Sequence, residues 1–592
     1  MASEQDSGTA RRSVLAGLAG AGVAASLNLP VRAHAATASD PDLGPNVLIV
    51  DPAMPADMVQ TRLNSIFQQQ ESAHFTDARY AVLLKPGRHR LDINVGFLTQ
   101  IAGLGAMPDD VTVDGHVHVE ADWNHGNALV NFWRGAENMA VRPPDGKDRW
   151  AVSQAAPYRR MHLMGDLALD DGGWSSGGFM ADTKVDGTIH SGTQQQWFTR
   201  DSSIGGWQGS NWNMVFVGVN GAPKTSFPEP PYTTIATTPV IRDKPFLYVT
   251  QAGSWEVFRP ALRYTSSGQS WADGMPKGTS VPLTKFLIAT PDMAVSRINA
   301  ALAAGRHLLL TPGVYRLSQP IRVTRPDTIV LGLGLATLLA EKGSTAMVVD
   351  DLPGATVSGL LFDAGPVESP ILLQIGQRNA SGDHRANPIS LHDVFFRVGG
   401  AAPGLVDTCL EINSHHVIGD HLWIWRADHG DRAHHRVFVG WKENRGNQGL
   451  VVNGDDITMY GLFVEHFEKY QTLWNGERGR TYFYQNELPY DPPSQAAYMA
   501  GKTRGWAAYK VADHVDHHLA VGMGIYSNFT ADPSIVLESA IEAPKKPDVV
   551  FRDVTTISLG GGMGTIEHIV NDTGAAATRG AIRQTLVRYP PG

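Results

Sequence analysis

The sequence predicts an all-β fold of the solenoid type, a parallel β-helix, built as two tandem domains. Three observations carry that expectation. Short strand-like runs recur along the chain with no long helices between them. A set of features in the N-terminal part returns in the same order 226 residues later. Two aromatic-rich runs end in glutamates, Glu465 and Glu487, that lie 22 residues apart, about the length of one coil in a stacked solenoid. From pattern alone a β-sandwich stays open.

Taken in order, the chain begins with what reads as an export leader. Arg11-Arg12 precedes a weakly apolar, Gly/Ala-rich run, and Ala33-His34-Ala35 offers a small-x-small cleavage site. The adjacent arginines suggest the twin-arginine route of bacteria, so residues 1–35 are set aside as a signal peptide. Their removal takes away two acids and three arginines, moving the net charge from −9 to −10.

The first domain is expected over residues 44–281. It opens with a helix-like segment at residues 58–69, for which Asp57 is the expected N-cap. The turn motif Leu83-Leu84-Lys85-Pro86-Gly87 follows, then Gly103-Leu104-Gly105. The second domain, residues 282–592, repeats the order. A helix is expected at residues 293–304 behind Asp292, then Leu309-Leu310-Thr311-Pro312-Gly313 and Gly332-Leu333-Gly334. A helix at each start would cover the open end of a β-helix, which otherwise exposes unpaired strand groups. Strand signals then recur, as at Val111-Thr112-Val113, Ala355-Thr356-Val357 and Gly449-Leu450-Val451-Val452. The Pro-rich residues 228–239 read as a surface loop or linker.

Residues 460–490 carry the chemistry. Gly461-Leu462-Phe463-Val464 leads into Glu465, and Thr481-Tyr482-Phe483-Tyr484-Gln485-Asn486 leads into Glu487. Both runs suit a pleated, half-buried surface. On neighbouring coils the two glutamates would sit one rung apart, close enough to work as the carboxylate pair of glycoside hydrolysis. Trp474, Asn475 and Tyr484 nearby supply aromatic faces and amides of the kind that grip sugars. Gln194-Gln195-Gln196 before Trp197 is costly to bury unless each amide is satisfied; on a strand, Gln194 and Gln196 would face a ligand together. Trp423 and Trp425 share one strand face, a spacing that suits a sugar platform or ring packing in a core, with Asp428 just beyond.

Composition narrows the partners. A net charge of −9 without a basic block disfavours nucleic acid and suits an uncharged substrate. After the leader no run is apolar enough to span a membrane. Cys409, the single cysteine, permits no internal disulfide and reads as a small core residue. His415, His416, His421, His429, His434 and His435 invite a metal reading, but none of the zinc spacings is present, so neither metal nor cofactor is expected. His514, His517 and His518 read as a solvated turn, and Gly560-Gly561-Gly562 as another turn.

With those residues in view, the chain resembles glycoside hydrolase family 55, bacterial β-1,3-glucanases of the laminarinase type. The likeness rests on GTQQQWFTRD, SNWNMVFVGVNGAP, LWIWRADHG, GLFVEHFEKYQTLWNGERGRTYFYQNELPYD and the two L-L-x-P-G openings. It implies two right-handed, pectate-lyase-like parallel β-helices side by side, with the active site in the cleft between them. It implies inverting hydrolysis of β-1,3-glucan (laminarin) from the chain end, by a secreted protein, with Glu487 as general acid and Glu465 as a second active-site carboxylate. Gln194, Gln195 and Gln196 would line the cleft, and the protein would work as a monomer. Two other readings remain at this stage: a polysaccharide lyase or polygalacturonase on the same solenoid, and a glycan-binding solenoid without activity.

Overall fold

The computed structural model describes residues 40–431 and 437–591; the expected leader, His434 and His435 lie outside them. Strands dominate, and nearly all pair in parallel with the strand one coil earlier. In the N-terminal half the ladder runs from Val47–Val50 through Thr99–Gly103, Pro157–Leu163 and Gln196–Arg200 to Tyr232–Ile235. The last of these lies inside the Pro-rich stretch read above as a loop, because its Thr233 pairs with Val215 as one more rung. Antiparallel strands follow, Thr238–Ile241 with Arg263–Ser266 and Phe246–Val249 with Trp255–Pro260. A second ladder then begins at Phe286–Ala289, with one twelve-stranded and one nine-stranded sheet.

Alternation along each strand sorts the side chains. In Ile418–Arg426, Leu422 and Ile424 point into the second solenoid's own core, while Trp423 and Trp425 point out toward the first solenoid. Both faces are covered, which is why such strands read as continuous apolar runs. Each solenoid opens under a helix. Ala56–Gln70 turns Val59, Leu63 and Ile66 onto the first core, and Val295–Ala303 turns Val295, Ile298 and Leu302 onto the second. Neither expected cap is used. Pro55 and Ala294 hold the N-cap positions; Asp57 sits in the first turn, where its charge suits the helix dipole, and Asp292 accepts from the Thr290 hydroxyl instead. His518 is buried rather than solvated, and burial lowers it to about 3.

One feature repeats on successive coils of the second ladder. Gly359, Asp393, His421, Gly461, Phe483, Gly522 and Asp553 all have φ between 49° and 70°. They occupy the same place in successive strands, between paired positions such as Tyr460↔Tyr482 and Leu462↔Tyr484. Asn138, Arg160, Asp182, Asp201 and Gly218 form the matching column in the first ladder. This left-handed corner costs a non-glycine residue about 1–2 kcal/mol; in the second ladder it aims side chains such as Asp393, His421 and Phe483 at the first solenoid, while Asn138, Arg160, Asp182 and Asp201 bond within their own half. His421 stacks on Phe179 with ring centroids 4.2 Å apart, and Phe483 packs on Phe198. At Gly461 a Cβ would stand 2.8 Å from Phe179, and at Gly522 2.4 Å from Val215, so those rungs have no room for a side chain.

Beside this apolar seam lies a buried ion network. Arg159 donates to Asp420 at 2.7 Å and to Asp393 at 2.7 Å, while Arg200 donates to both oxygens of Asp420 at 2.9 and 3.0 Å. Lys244 bridges Glu137 and Asp393 at 2.8 and 3.0 Å. Burial alone would raise Asp420, but Arg200 and Arg159 hold it well below the usual carboxylate range. Removing one partner of such a network strands the others in low dielectric. Asp420→Asn is therefore expected to cost about 3–5 kcal/mol, read as a fall in the urea midpoint; a loss below about 1 kcal/mol would show that the network does not hold the halves together.

Candidate active site

The strands Ile418–Arg426, Thr458–Glu465, Gly479–Glu487 and His518–Ser527 are neighbours in one sheet. Trp425 pairs with Glu465 and Glu487 with Tyr526, while Phe463 pairs with Gln485, two residues before the glutamates on each strand. The His466 amide donates to the Glu487 carbonyl at 2.8 Å, which continues that register past the strand end. Glu465 and Glu487 thus share a row at the C-terminal ends of their strands, one rung apart. Both point into a cleft of about 490 Å³ between the solenoids, within the usual size of small-ligand sites.

The two carboxyls differ in surroundings. Glu465 is 2% exposed. It accepts the Trp423 indole N–H at 2.8 Å and the amide of Gln154, from the first solenoid, at 2.9 Å. Glu487 keeps 19% of its side chain open to the cleft; its Oε2 accepts the Tyr490 hydroxyl and its Oε1 the Gln485 amide at 3.4 Å. Burial pushes Glu465 well above its ordinary range, and the nearby Glu487 pushes it further. Burial also raises Glu487, against the pull of His466 and the Tyr490 hydrogen bond. Like charges on adjacent rungs oppose each other's ionisation, so the pair resists losing both protons. Asp428 behaves oppositely: burial would raise it, but His429 at 3.0 Å and His466 at 3.7 Å hold it down, and it stays ionised at the cleft edge.

The remaining expected site residues divide. Trp423, Trp425 and Asp428 line the cleft. The two tryptophans are 1% exposed and stacked on each other at 5.0 Å, so they form a packed wall with an N–H aimed at Glu465 and not an open platform. Of the three glutamines, Gln195 lines the cleft. Gln194 is turned inside the first solenoid, donating to the Val152 carbonyl, because a turn with Ser191 breaks the strand alternation there. Gln196 lies under the cleft in the seam, donating to Ser176 and accepting from the Tyr526 hydroxyl. Three expectations fail on direction. Trp474 and Tyr484 point into the second core, where the Tyr484 hydroxyl donates to the Ala508 carbonyl. Asn475 lies on an outer turn, stacked with Asn453 and Asn413 in a ladder of amides. Cys409 is in the core.

Sequence reasoning missed Gln154, Trp174, Ser176, His466 and Tyr490, all on the cleft. His466 and Tyr490 stood next to the two glutamates in sequence, a signal that was available. Gln154 and Ser176 belong to no motif and reach the site only because the solenoids dock. Trp174, 53% exposed, forms a rim. Leu559 and Gly560, from the run read as a plain turn, border the cleft as well. The histidines disperse: His421 is in the seam, His429 at the cleft, and His415 and His416 on a turn.

Comparison with known proteins follows the same geometry. The family model described as the LAM55 pectate lyase-like domain matches residues 286–487, from the first strand of the second ladder to the second glutamate. A protein named Exo-beta-1,3-glucanase from Streptomyces sp. (strain SirexAA-E / ActE) is 52% identical over 537 residues, 90% of this chain and 87% of that one. The structure of sacteLam55A from Streptomyces sp. SirexAA-E is 50% identical, covers 93% of this chain and 99% of its own, and superposes with a TM-score of 0.90. A glutamate-to-alanine variant of that protein, solved in complex with glucose, superposes equally, with a TM-score of 0.90.

A carboxyl raised in the folded state removes stability as pH rises from its unfolded range, about 4.3, through its folded value. Glu487→Gln, which has no charge to bury, is thus expected to melt at or above the wild-type temperature at pH 7. The difference should vanish below about pH 4; a variant less stable at pH 7 than the wild type would contradict the raised carboxyl.

Proposed function

The chain belongs to glycoside hydrolase family 55, and from that premise we propose that it is an exo-acting β-1,3-glucanase that cleaves laminarin-type glucan with inversion. The observation that carries this reading is the pair Glu465 and Glu487, side by side in a cleft that both solenoids build. The exo-β-1,3-glucanase relative and the glucose complex of the related fold support the substrate class.

Glu487 is the general acid. It is the more open of the two carboxyls, so it is the one a glycosidic oxygen reaches, and burial raises its proton affinity, the direction a general acid needs. Glu465, gripped by Trp423 and Gln154, orients the attacking water, with Gln154, Ser176 and Gln195 facing it from the opposite wall. A single displacement at the anomeric carbon then inverts it. Asp428 has an ionised carboxylate whose Oδ1 is the oxygen facing His429 and His466, which leaves Oδ2 for a sugar hydroxyl. Trp174 at the rim gives an apolar face for the ring. No cofactor enters any of these steps. The leader over residues 1–35 fits export to the cell exterior, where such polymers are met, and the protein acts there as a monomer.

Glu487→Gln is expected to lower laminarin hydrolysis by about 10²–10⁴-fold while leaving the fold intact, measured as reducing sugar released; turnover near wild type refutes the assignment. Proton NMR of a fresh laminaritriose digest should show α-glucose first, since inversion of a β-linkage yields the α-anomer. An initial β signal means retention and a nucleophilic carboxylate.

A further inference from the structure

His466 is placed more tightly than a neighbour of a catalytic residue needs to be. It follows Glu465, is almost wholly buried, and adopts φ 70°, a left-handed conformation that is unusual away from glycine and tends to mark functional positions. Its backbone amide donates to the Glu487 carbonyl at 2.8 Å, and its Nδ1 faces the Leu488 carbonyl at 3.1 Å. A carbonyl only accepts, so Nδ1 carries a proton, and Nε2 is the nitrogen turned to the carboxylates. That Nε2 stands between two carboxylates, 3.9 Å from Glu487 Oε2 and 3.7 Å from Asp428 Oδ1. The Tyr490 ring packs edge-on against the imidazole at 4.5 Å and holds its plane.

We propose that His466 is a positioning residue for the general acid: its charge, held beside Glu487 by Leu488 and Asp428, sets the pH at which Glu487 gives up its catalytic proton. This rests on the reading of Glu487 as the acid. The ring does not touch the substrate's reacting atoms in this scheme. Its effect is electrostatic, since an imidazolium within about 4 Å favours the carboxylate and draws the acid's range down toward neutrality. Without it, burial and the Asp428 carboxylate would keep Glu487 protonated to higher pH, and the acid would donate less readily.

Other charged or titratable groups also face this corner. Asp428 and His429 follow the Ile418–Arg426 strand, and Glu465 is on His466's own strand. Tyr490 is beyond Glu487, and Tyr526 is on the next coil. Arg426, behind the ring, donates to the His466 carbonyl and is neutralised by Asp491. His74 stands behind His429, with ring centroids 5.7 Å apart. From the first solenoid the facing groups are the neutral Gln154, Ser176 and Gln195. Among the described residues His466 is therefore the basic side chain nearest to Glu487.

The test compares the wild type with His466→Asn, an uncharged residue that tolerates the same backbone conformation, and His466→Gln serves if the first misfolds. The basic limb of the kcat/KM profile on laminaritriose reports the acid in the free enzyme. It should move up by about one pH unit in the variant. A second readout needs no catalysis. The difference in unfolding free energy between Glu487 and Glu487→Gln proteins, followed against pH in both backgrounds, traces the titration of Glu487 by linkage. Its midpoint should rise by the same amount. A purely structural role for His466 would change the height of these curves and not their midpoints. Midpoints that coincide in both backgrounds overturn the proposal. A wild type that fails to hydrolyse laminaritriose but shows the linkage shift instead overturns the functional reading and leaves the role of His466 standing.

Discussion

The constraint on which the rest depends is the column of left-handed corners in the second ladder, one per coil from Gly359 to Asp553. In a regular strand the residue at that position would point along the sheet face with its neighbours. Rotated into positive φ, it points across at the other solenoid, and because the coils stack, the rotation repeats at the spacing of the rungs. Two flat-sided cylinders thereby gain interlocking edges. Where the approach is closest the column uses Gly461 and Gly522, and where it is looser it uses Phe483, His421 or the ion-paired Asp393. The strain in the non-glycine members is offset by packing on Phe179 and Phe198 and by the Arg159 and Arg200 contacts.

From that seam the site follows. The strands that supply the corners continue for a few residues toward their C-terminal ends, and there the two solenoids diverge enough to leave a cleft. The seam makes the cleft floor dry, and dryness raises both glutamates. It also brings Gln154 of one half to Glu465 of the other across more than 300 positions of sequence. An ion network is a poor source of net stability compared with apolar packing. Its value here is register: Arg159 and Arg200 both close on Asp420, and a slip of one coil would leave them without it. Register decides whether Gln154 meets Glu465 at all.

The balance of charge at the cleft is graded along one edge. Glu465 is deepest and served by two N–H donors, Glu487 is next and faces open space, and Asp428 is outermost between two imidazoles. Three carboxyls in one cleft thus have three characters: one enclosed, one open to the cleft and one fixed as an anion. The gradation comes from depth and neighbours and not from residue type.

Much of the fold was legible in the sequence, because a solenoid writes its period directly into the chain. The repeated L-L-x-P-G openings, the 22-residue step from Glu465 to Glu487 and the covering helices are local features, set by turn chemistry and strand alternation within one coil. The carboxylate pair was legible for the same reason, since one coil separates its members. What the chain did not disclose is direction. Trp474, Asn475 and Tyr484 sit in the same stretch as the glutamates, yet inward and outward alternate residue by residue, and a turn at Ser191 was enough to send Gln194 and Gln196 to different sides. Least legible were the residues that the first solenoid lends to the second. Gln154, Ser176 and Trp174 lie in no pattern, because nothing in a coil's own sequence records which face another solenoid will cover. The sequence by itself determined the period, the helices and the acidic pair; the docking of the two halves, a matter of long-range packing and buried charge, decided what those acids face.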